Sequence, residues 1–117
     1  MTTEEGTFLA LLGHVFLQNA RPDKAAVLFA ALDRLAPGQP KVLGSLALAQ
    51  LRSNKAERAL NTLDRLAMTG TIDATFHLLR ARALTALNRN DESQAAMRAY
   101  LSIKDQIPAF TTAGQDA

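Results

Sequence analysis

The sequence repeats with a period of 34 residues. At that shift, three consecutive units cover residues 6–39, 40–73 and 74–107 without a gap. The eighth and twentieth positions of a unit are small, and the twenty-fourth is large and apolar: Gly13, Ala47 and Ala81; Ala25, Ala59 and Ser93; Phe29, Leu63 and Met97. Because small residues let two helices approach and large ones fill the space beside them, each unit is predicted to be a pair of antiparallel helices.

Turn residues separate the two helices of each unit. Ala20, Asn54 and Asn88 share the fifteenth position, and a basic residue follows each of them. The pattern predicts six helices, over residues 7–19, 22–36, 40–53, 56–68, 73–88 and 91–106. Pro22 suits a first helical position, and Asp73 is a candidate cap of the fifth helix. The segment LDRLA recurs at a shift of 31, which we interpret as the second helix of unit 2 ending early, at Gly70.

The period and the alternation of small and large residues resemble the tetratricopeptide repeat. We therefore predict an all-α fold, a right-handed α-solenoid of three tetratricopeptide helix-turn-helix repeats with six helices. Residues 1–107 are expected to form a single domain, and residues 108–117 a flexible C-terminal tail. Because no polar capping helix follows unit 3, the sixth helix is expected to leave apolar surface for a partner or a second copy to cover.

The first helix of each unit lines the concave side of such an array, so its outward positions form the predicted binding surface. No Asp or Glu lies within residues 7–22 or 34–56, or between Asp73 and Asp91. A concave side rich in leucine and short of acids suits an apolar peptide or helix that carries negative charge. A leucine stripe is equally compatible with a core, and chance alone produces acid-free windows of this length. The predicted partner-binding residues are Ala10, His14, Leu17, Gln18, Lys41, Gly44, Leu48, Leu51, Arg52, Leu78, Arg82 and Thr85.

Composition argues against catalysis and bound cofactors. The two histidines, His14 and His77, are far apart in the sequence and cysteine is absent, so no metal site is predicted. No glycine-rich loop or nucleophile motif is present, so neither an enzyme nor a cofactor is predicted. A net charge of +2 with one tyrosine and no tryptophan does not favour nucleic-acid binding. The apolar run at 8–17 is too short to cross a bilayer, and the lack of cysteine suits a reducing cytosol, so a soluble cytoplasmic protein is expected.

Longer segments point to a narrower family. The stretches FLALLGHVFLQNARPDKAAVLFAALDRLAP, LALAQLRSNKAERAL and HLLRARALTALNRNDESQAAMRAYLSIKD together resemble the small type III secretion chaperones of the YscY (SctY) type, from about Phe8 to Asp105. The resemblance implies a non-enzymatic cytoplasmic chaperone, peripheral at the inner-membrane secretion apparatus through a partner. It also implies a hetero-oligomer with a small secreted protein of the YscX (SctX) type, which the chaperone presents to the cytosolic domain of the export gate (YscV/SctV type).

Two other interpretations stay open. One is a chaperone of the same fold for the needle subunit or the translocators of type III secretion. The other is a generic tetratricopeptide adaptor for protein–protein interaction, unrelated to secretion.

Overall fold

The computed structural model describes residues 3 to 105, and this part of the chain forms six α-helices. They are α1 (Thr3–Gln18), α2 (Pro22–Leu35), α3 (Pro40–Arg52), α4 (Ala56–Met68), α5 (Ala74–Ala86) and α6 (Asn90–Lys104). The six predicted helices are confirmed, and α1 starts earlier than predicted. Its first turn carries Glu4 and Glu5, whose negative charge interacts favourably with the positive end of the helix dipole. The tail predicted at 108–117 and the predicted end of unit 3 at 107 lie outside the described residues.

The helices form two layers. Each helix packs against the next one along the chain, and in addition α1 contacts α3 and α3 contacts α5. The odd-numbered helices therefore form one layer and the even-numbered helices the other. This arrangement is the all-α solenoid of paired helices that the 34-residue period predicts.

The turn inside each unit has the same backbone geometry three times. Left-handed φ angles occur at Ala20 (58°), Asn54 (63°) and Asn88 (60°). In unit 1, the N–H of Arg21 donates to the carbonyl of Phe16 at 2.7 Å, and the N–H of Ala20 donates to that of Leu17 at 3.3 Å. The same pair of bonds recurs in units 2 and 3. This is a Schellman motif, which satisfies carbonyls at the end of the first helix and reverses the chain.

The predicted contact between small and large residues is present in unit 1. Phe29 of α2 is only 1% exposed, and its ring lies directly against Gly13 of α1. A Cβ atom added at Gly13 would lie 2.6 Å from Cζ of Phe29. Glycine at this position therefore sets the close approach of α1 and α2.

The core has two parts that meet at α3. One cluster joins α1, α2 and α3, and a larger one joins α3, α4, α5 and α6. Leu48 of α3 packs against both clusters. α3, the middle helix of the odd-numbered layer, thus links the core of unit 1 to that of units 2 and 3.

The two LDRLA segments are joined by an ion pair between α2 and α4. Arg65, from the second segment, donates two hydrogen bonds to the carboxylate of Asp33, from the first, at 2.6 and 3.0 Å. The N–H of Gly38 donates to the same carboxylate at 3.1 Å. The hydrogen bonds from Arg65 lower the pKa of Asp33, against the opposing effect of burial, and the bond from Gly38 adds to the lowering. The second segment ends as predicted, with α4 stopping at Met68 and a left-handed Gly70 (φ 86°) following.

Candidate protein-binding groove

A groove of about 590 Å³ opens on the layer of odd-numbered helices. Its apolar part includes Leu48 of α3, together with Phe76 and Leu78 of α5. Two cations, Lys41 of α3 and Arg82 of α5, also line it. The groove therefore combines apolar surface with positive charge supplied by two neighbouring helices. We refer to it below as the concave groove.

Helical spacing explains why these side chains share one surface. Lys41, Gly44 and Leu48 follow one another at intervals of three and four residues along α3, which places them on one side of the helix. Thr75, Leu78 and Arg82 have the same spacing along α5, and all six residues line the groove. The opposite side of α3 carries Leu43 and Ala47 into the core, so the groove residues are held on helices that the core already orients.

The concave surface continues towards α1. A neighbouring depression is lined by Ala10 and Leu11 of α1, among others. His14 and Lys41 line both this depression and the concave groove, so the two are continuous. The imidazole of His14 packs edge-on against the ring of Phe29, with 5.2 Å between the ring centroids. The buried ring of Phe29 thereby helps to orient His14.

Half of the predicted binding residues line the concave groove. These six are His14, Lys41, Gly44, Leu48, Leu78 and Arg82, with Ala10 in the adjoining depression. Gln18 and Arg52 are exposed near the ends of α1 and α3, away from the groove. That any of these residues contacts a partner stays a prediction.

The structure corrects the outward orientation predicted for the twelfth position in units 1 and 2. Leu17 is buried in the core cluster of unit 1, not exposed on the concave side. Leu51 packs against the larger core cluster and lines a separate depression beside the turns of units 2 and 3. Thr85 of unit 3 is exposed, as predicted, but does not line the concave groove, and its hydroxyl is 2.5 Å from that of Ser93 on α6. The twelfth position is four residues after the small eighth position, so it shares the side of the helix that faces its own partner helix.

The groove also contains residues that were not among the predicted binding residues, including Phe76 and Asp73. Phe76 is largely buried beneath the surface, and Asp73 lies where α5 begins. The carboxylate of Asp73 accepts a hydrogen bond from the N–H of Phe76 at 2.9 Å, which confirms the predicted cap of α5. The groove thus contains one acid, already engaged by a helix end, beside the two cations Lys41 and Arg82. Asp73 could have been assigned to the groove from the sequence, because a residue that caps a helix lining the groove lies next to that helix.

Apolar side chains are also exposed away from the groove. On α6, Met97 and Leu101 are exposed, so Met97 does not fill the space between paired helices as predicted for its position. A more prominent set lies on α1, where Phe8, Leu11 and Val15 are 63%, 60% and 45% exposed. The sequence reasoning did not single out these three residues as surface, although their spacing of three and four places them on one side of a helix.

Neither a ligand cluster for a metal ion nor a membrane-spanning helix occurs within residues 3 to 105. Over that range, the structure brings no three His, Cys, Asp or Glu side chains together in a way that would hold a metal ion. Over the same range, none of the helices has the length and apolar character needed to span a bilayer.

The fold and the groove define a helical-repeat protein of the kind that binds other proteins on its concave side. A family model described as tetratricopeptide repeat matches residues 16–82, more than half of the chain. The chain belongs to the tetratricopeptide repeat family. No curated protein matches it. Proteins built from this repeat are typically non-enzymatic interaction modules, which indicates a protein–protein interaction adaptor.

Proposed function

We propose that this protein is a cytoplasmic type III secretion chaperone of the YscY (SctY) type. In this role it binds a small secreted protein of the YscX (SctX) type in the concave groove and presents it to the cytosolic domain of the export gate (YscV/SctV type). The observation that carries the proposal is the groove itself, in which Leu48 and Leu78 lie among the cations Lys41 and Arg82. The resemblance of residues 8 to 105 to these chaperones supplies the identity of the partner.

The chemistry of the groove suits an export client. A protein that awaits secretion carries amphipathic segments, and their apolar sides promote aggregation when they are exposed. An open apolar groove covers such a segment, while Lys41 and Arg82 favour a segment with acidic residues beside its apolar side. Neither cation forms an ion pair within the described part of the chain, so both are available to a partner.

The test is coexpression with small secreted proteins encoded beside this chain, followed by measurement of Kd for the copurified pair. Leu78→Glu is the sharpest apolar variant, because Leu78 lines the groove and is only half-buried. Leu48 is less suitable, since it also packs against both core clusters. We expect Leu78→Glu to weaken binding at least about tenfold, with the helical CD signal retained.

A charge reversal tests the electrostatic part of the proposal. The double variant Lys41→Glu and Arg82→Glu removes both groove cations, whereas Lys24→Glu and Arg98→Glu make the same change in net charge on α2 and α6. We expect the first pair to weaken binding at least about tenfold and the second pair to leave it nearly unchanged. Equal effects of the two pairs, or unchanged binding by Leu78→Glu, would exclude the groove as the binding site.

The identity of the copurified partner distinguishes the alternatives. A needle subunit or translocator in place of a protein of the YscX type assigns the chain to another class of type III secretion chaperone. A partner unrelated to secretion leaves the broader conclusion, a tetratricopeptide interaction adaptor. In both cases the groove variants still report whether the partner lies on the concave side.

A further inference from the structure

Helix α1 carries an apolar stripe on the side that faces away from the core. The stripe consists of Phe8, Leu11 and Val15, whose side chains are 63%, 60% and 45% exposed. We refer to these three residues as the α1 stripe. On the opposite side of the helix, Gly13 packs against Phe29 and Leu17 lies in the core cluster. α1 is therefore apolar on two sides, of which the described structure covers one.

The α1 stripe differs from the isolated exposed apolar residues that most surfaces contain. Val27 on α2, for example, is 68% exposed but has no exposed apolar neighbour one turn away on its helix. The three stripe residues instead follow the spacing of a helix that pairs with another helix. Of the three, only Leu11 borders the depression next to the concave groove.

Charge along α1 indicates what would pair with it. Both acids of the helix, Glu4 and Glu5, lie in its first turn, and the helix contains no lysine or arginine. Arg21 lies three residues beyond its C-terminal end and is exposed. The edge formed by α1 and the following turn is thus negative at one end and positive at the other. Such an edge is complementary to a copy of itself in the antiparallel orientation, whereas parallel pairing would bring like charges together.

We propose that α1 pairs antiparallel with α1 of a second copy of this chain, through the α1 stripe. A two-fold axis near Leu11 places Phe8 of one copy beside Val15 of the other, and brings Glu4 of each copy towards Arg21 of the other. A helix of 16 residues is about 24 Å long, so the pairing buries roughly 800 Å² in total. This area is below that of standard stable interfaces, so the dimer is weak.

The dimer is independent of the proposed function. Phe8 and Val15 lie outside the concave groove and the depression that adjoins it, and Leu11 borders that depression only, whereas the groove itself is lined mainly by α3 and α5. Self-association and partner binding therefore have separate sets of diagnostic variants.

Sedimentation velocity on the full chain, from about 1 µM to about 500 µM, tests the proposal. We expect a monomer–dimer equilibrium that Leu11→Glu weakens at least about tenfold, because the substitution places two carboxylates on the two-fold axis. Val27→Glu is the matched control: it puts the same charge at an exposed apolar position outside the stripe, and it leaves the equilibrium unchanged. Thermal unfolding of both variants, followed by CD, verifies that they remain folded.

Mixing two charge variants tests the antiparallel arrangement itself. Glu4→Arg and Arg21→Glu each place like charges opposite one another, so each variant alone dimerises at least about threefold more weakly. Mixed in equal amounts, the two variants restore both opposite-charge contacts and form a heterodimer with wild-type affinity. The proposal is overturned by a monomer throughout the concentration range, by equal effects of Leu11→Glu and Val27→Glu, or by no recovery in the mixture. It is also overturned if Leu11→Glu abolishes binding of another protein while the chain itself stays monomeric.

Discussion

Gly13→Ala adds a methyl group to α1 where the ring of Phe29 occupies the space. The new Cβ would lie 2.6 Å from Cζ and 3.0 Å from both Cε atoms of that ring. Phe29 is 1% exposed and its ring packs against His14, so the ring has little room to turn away. The substitution therefore forces α1 and α2 apart or moves the ring out of its position.

Two effects of opposite sign determine the magnitude. Alanine in place of a helical glycine stabilises by about 0.5–1 kcal/mol, because glycine loses more backbone freedom on folding. Overpacking a core costs about 1–3 kcal/mol. We expect the steric effect to dominate, so Gly13→Ala lowers the free energy of unfolding by about 1 kcal/mol. Gly44→Ala in α3 measures the effect of backbone freedom alone, since nothing lies within 4 Å of the added Cβ. It is expected to stabilise the fold by about 0.5–1 kcal/mol.

A second substitution tests the same contact from the other helix. The corresponding pair of unit 2 is Ala47 with Leu63, so Gly13→Ala combined with Phe29→Leu recreates in unit 1 a pair that the fold already accommodates. Phe29→Leu alone leaves space beside Gly13 and is expected to cost about 1–2 kcal/mol. In the double variant the methyl group fills that space, so we expect a favourable coupling energy of about 1–2 kcal/mol.

Urea unfolding followed by CD at helical wavelengths gives the free energies of unfolding for the four proteins of this cycle and for Gly44→Ala. The m-value must stay constant for the comparison to hold. If Gly13→Ala stabilises as much as Gly44→Ala does, or if the two changes in the double variant are additive, then the close approach at Gly13 does not limit the packing of α1 on α2.

Three further predictions concern turns, the ion pair and a helix cap. Ala20→Asn should raise the free energy of unfolding by about 0.5–1 kcal/mol, measured by urea titration, because asparagine adopts the left-handed conformation of Ala20 (φ 58°) more readily than alanine. Asp33→Asn should lower it by about 1–3 kcal/mol at pH 7, whereas the control Asp64→Asn, at an exposed residue, should have little effect. The folded-state pKa of Asp33 is lowered, so its contribution to stability is present above the unfolded-state pKa of about 3.9 and is lost as pH falls through the folded-state value. The free energies of unfolding of the wild type and Asp33→Asn should therefore converge in acid. Asp73→Ala should cost about 1 kcal/mol in thermal unfolding through loss of the bond from the N–H of Phe76, and an unchanged Tm would show that the cap does not stabilise α5.

The fold was accessible from the sequence because its signals are local and occur three times. The small and large positions predicted the helix pairs, and the contact between Gly13 and Phe29 confirms that interpretation in unit 1. The fifteenth position predicted the turns, where Ala20 and its two equivalents have the same left-handed backbone. An isolated residue of either kind would have been ambiguous, whereas three at a fixed period indicate one structural unit.

The candidate site was only partly accessible. Spacing along each helix was sufficient to place Lys41, Leu48 and Arg82 on the concave side. The twelfth position was wrongly placed on the concave side in units 1 and 2, although it follows the small eighth position by four residues and so shares the side that faces the partner helix. Leu17 lies one turn after Gly13, and the structure buries it in the core cluster of unit 1.

The sequence by itself determined the number of helices, the turns and the small and large residues that pair them, because each of these depends on neighbours at a fixed distance along the chain. The tertiary structure decided which apolar surfaces are covered and which charged groups meet. Arg65 of α4 forms an ion pair with Asp33 of α2. Phe8, Leu11 and Val15 stay exposed because, in the described structure, α1 packs against α2 and α3 on its other sides only. Burial and ion pairing are properties of a residue together with its spatial neighbours, and in a stacked array those neighbours come from other units of the chain.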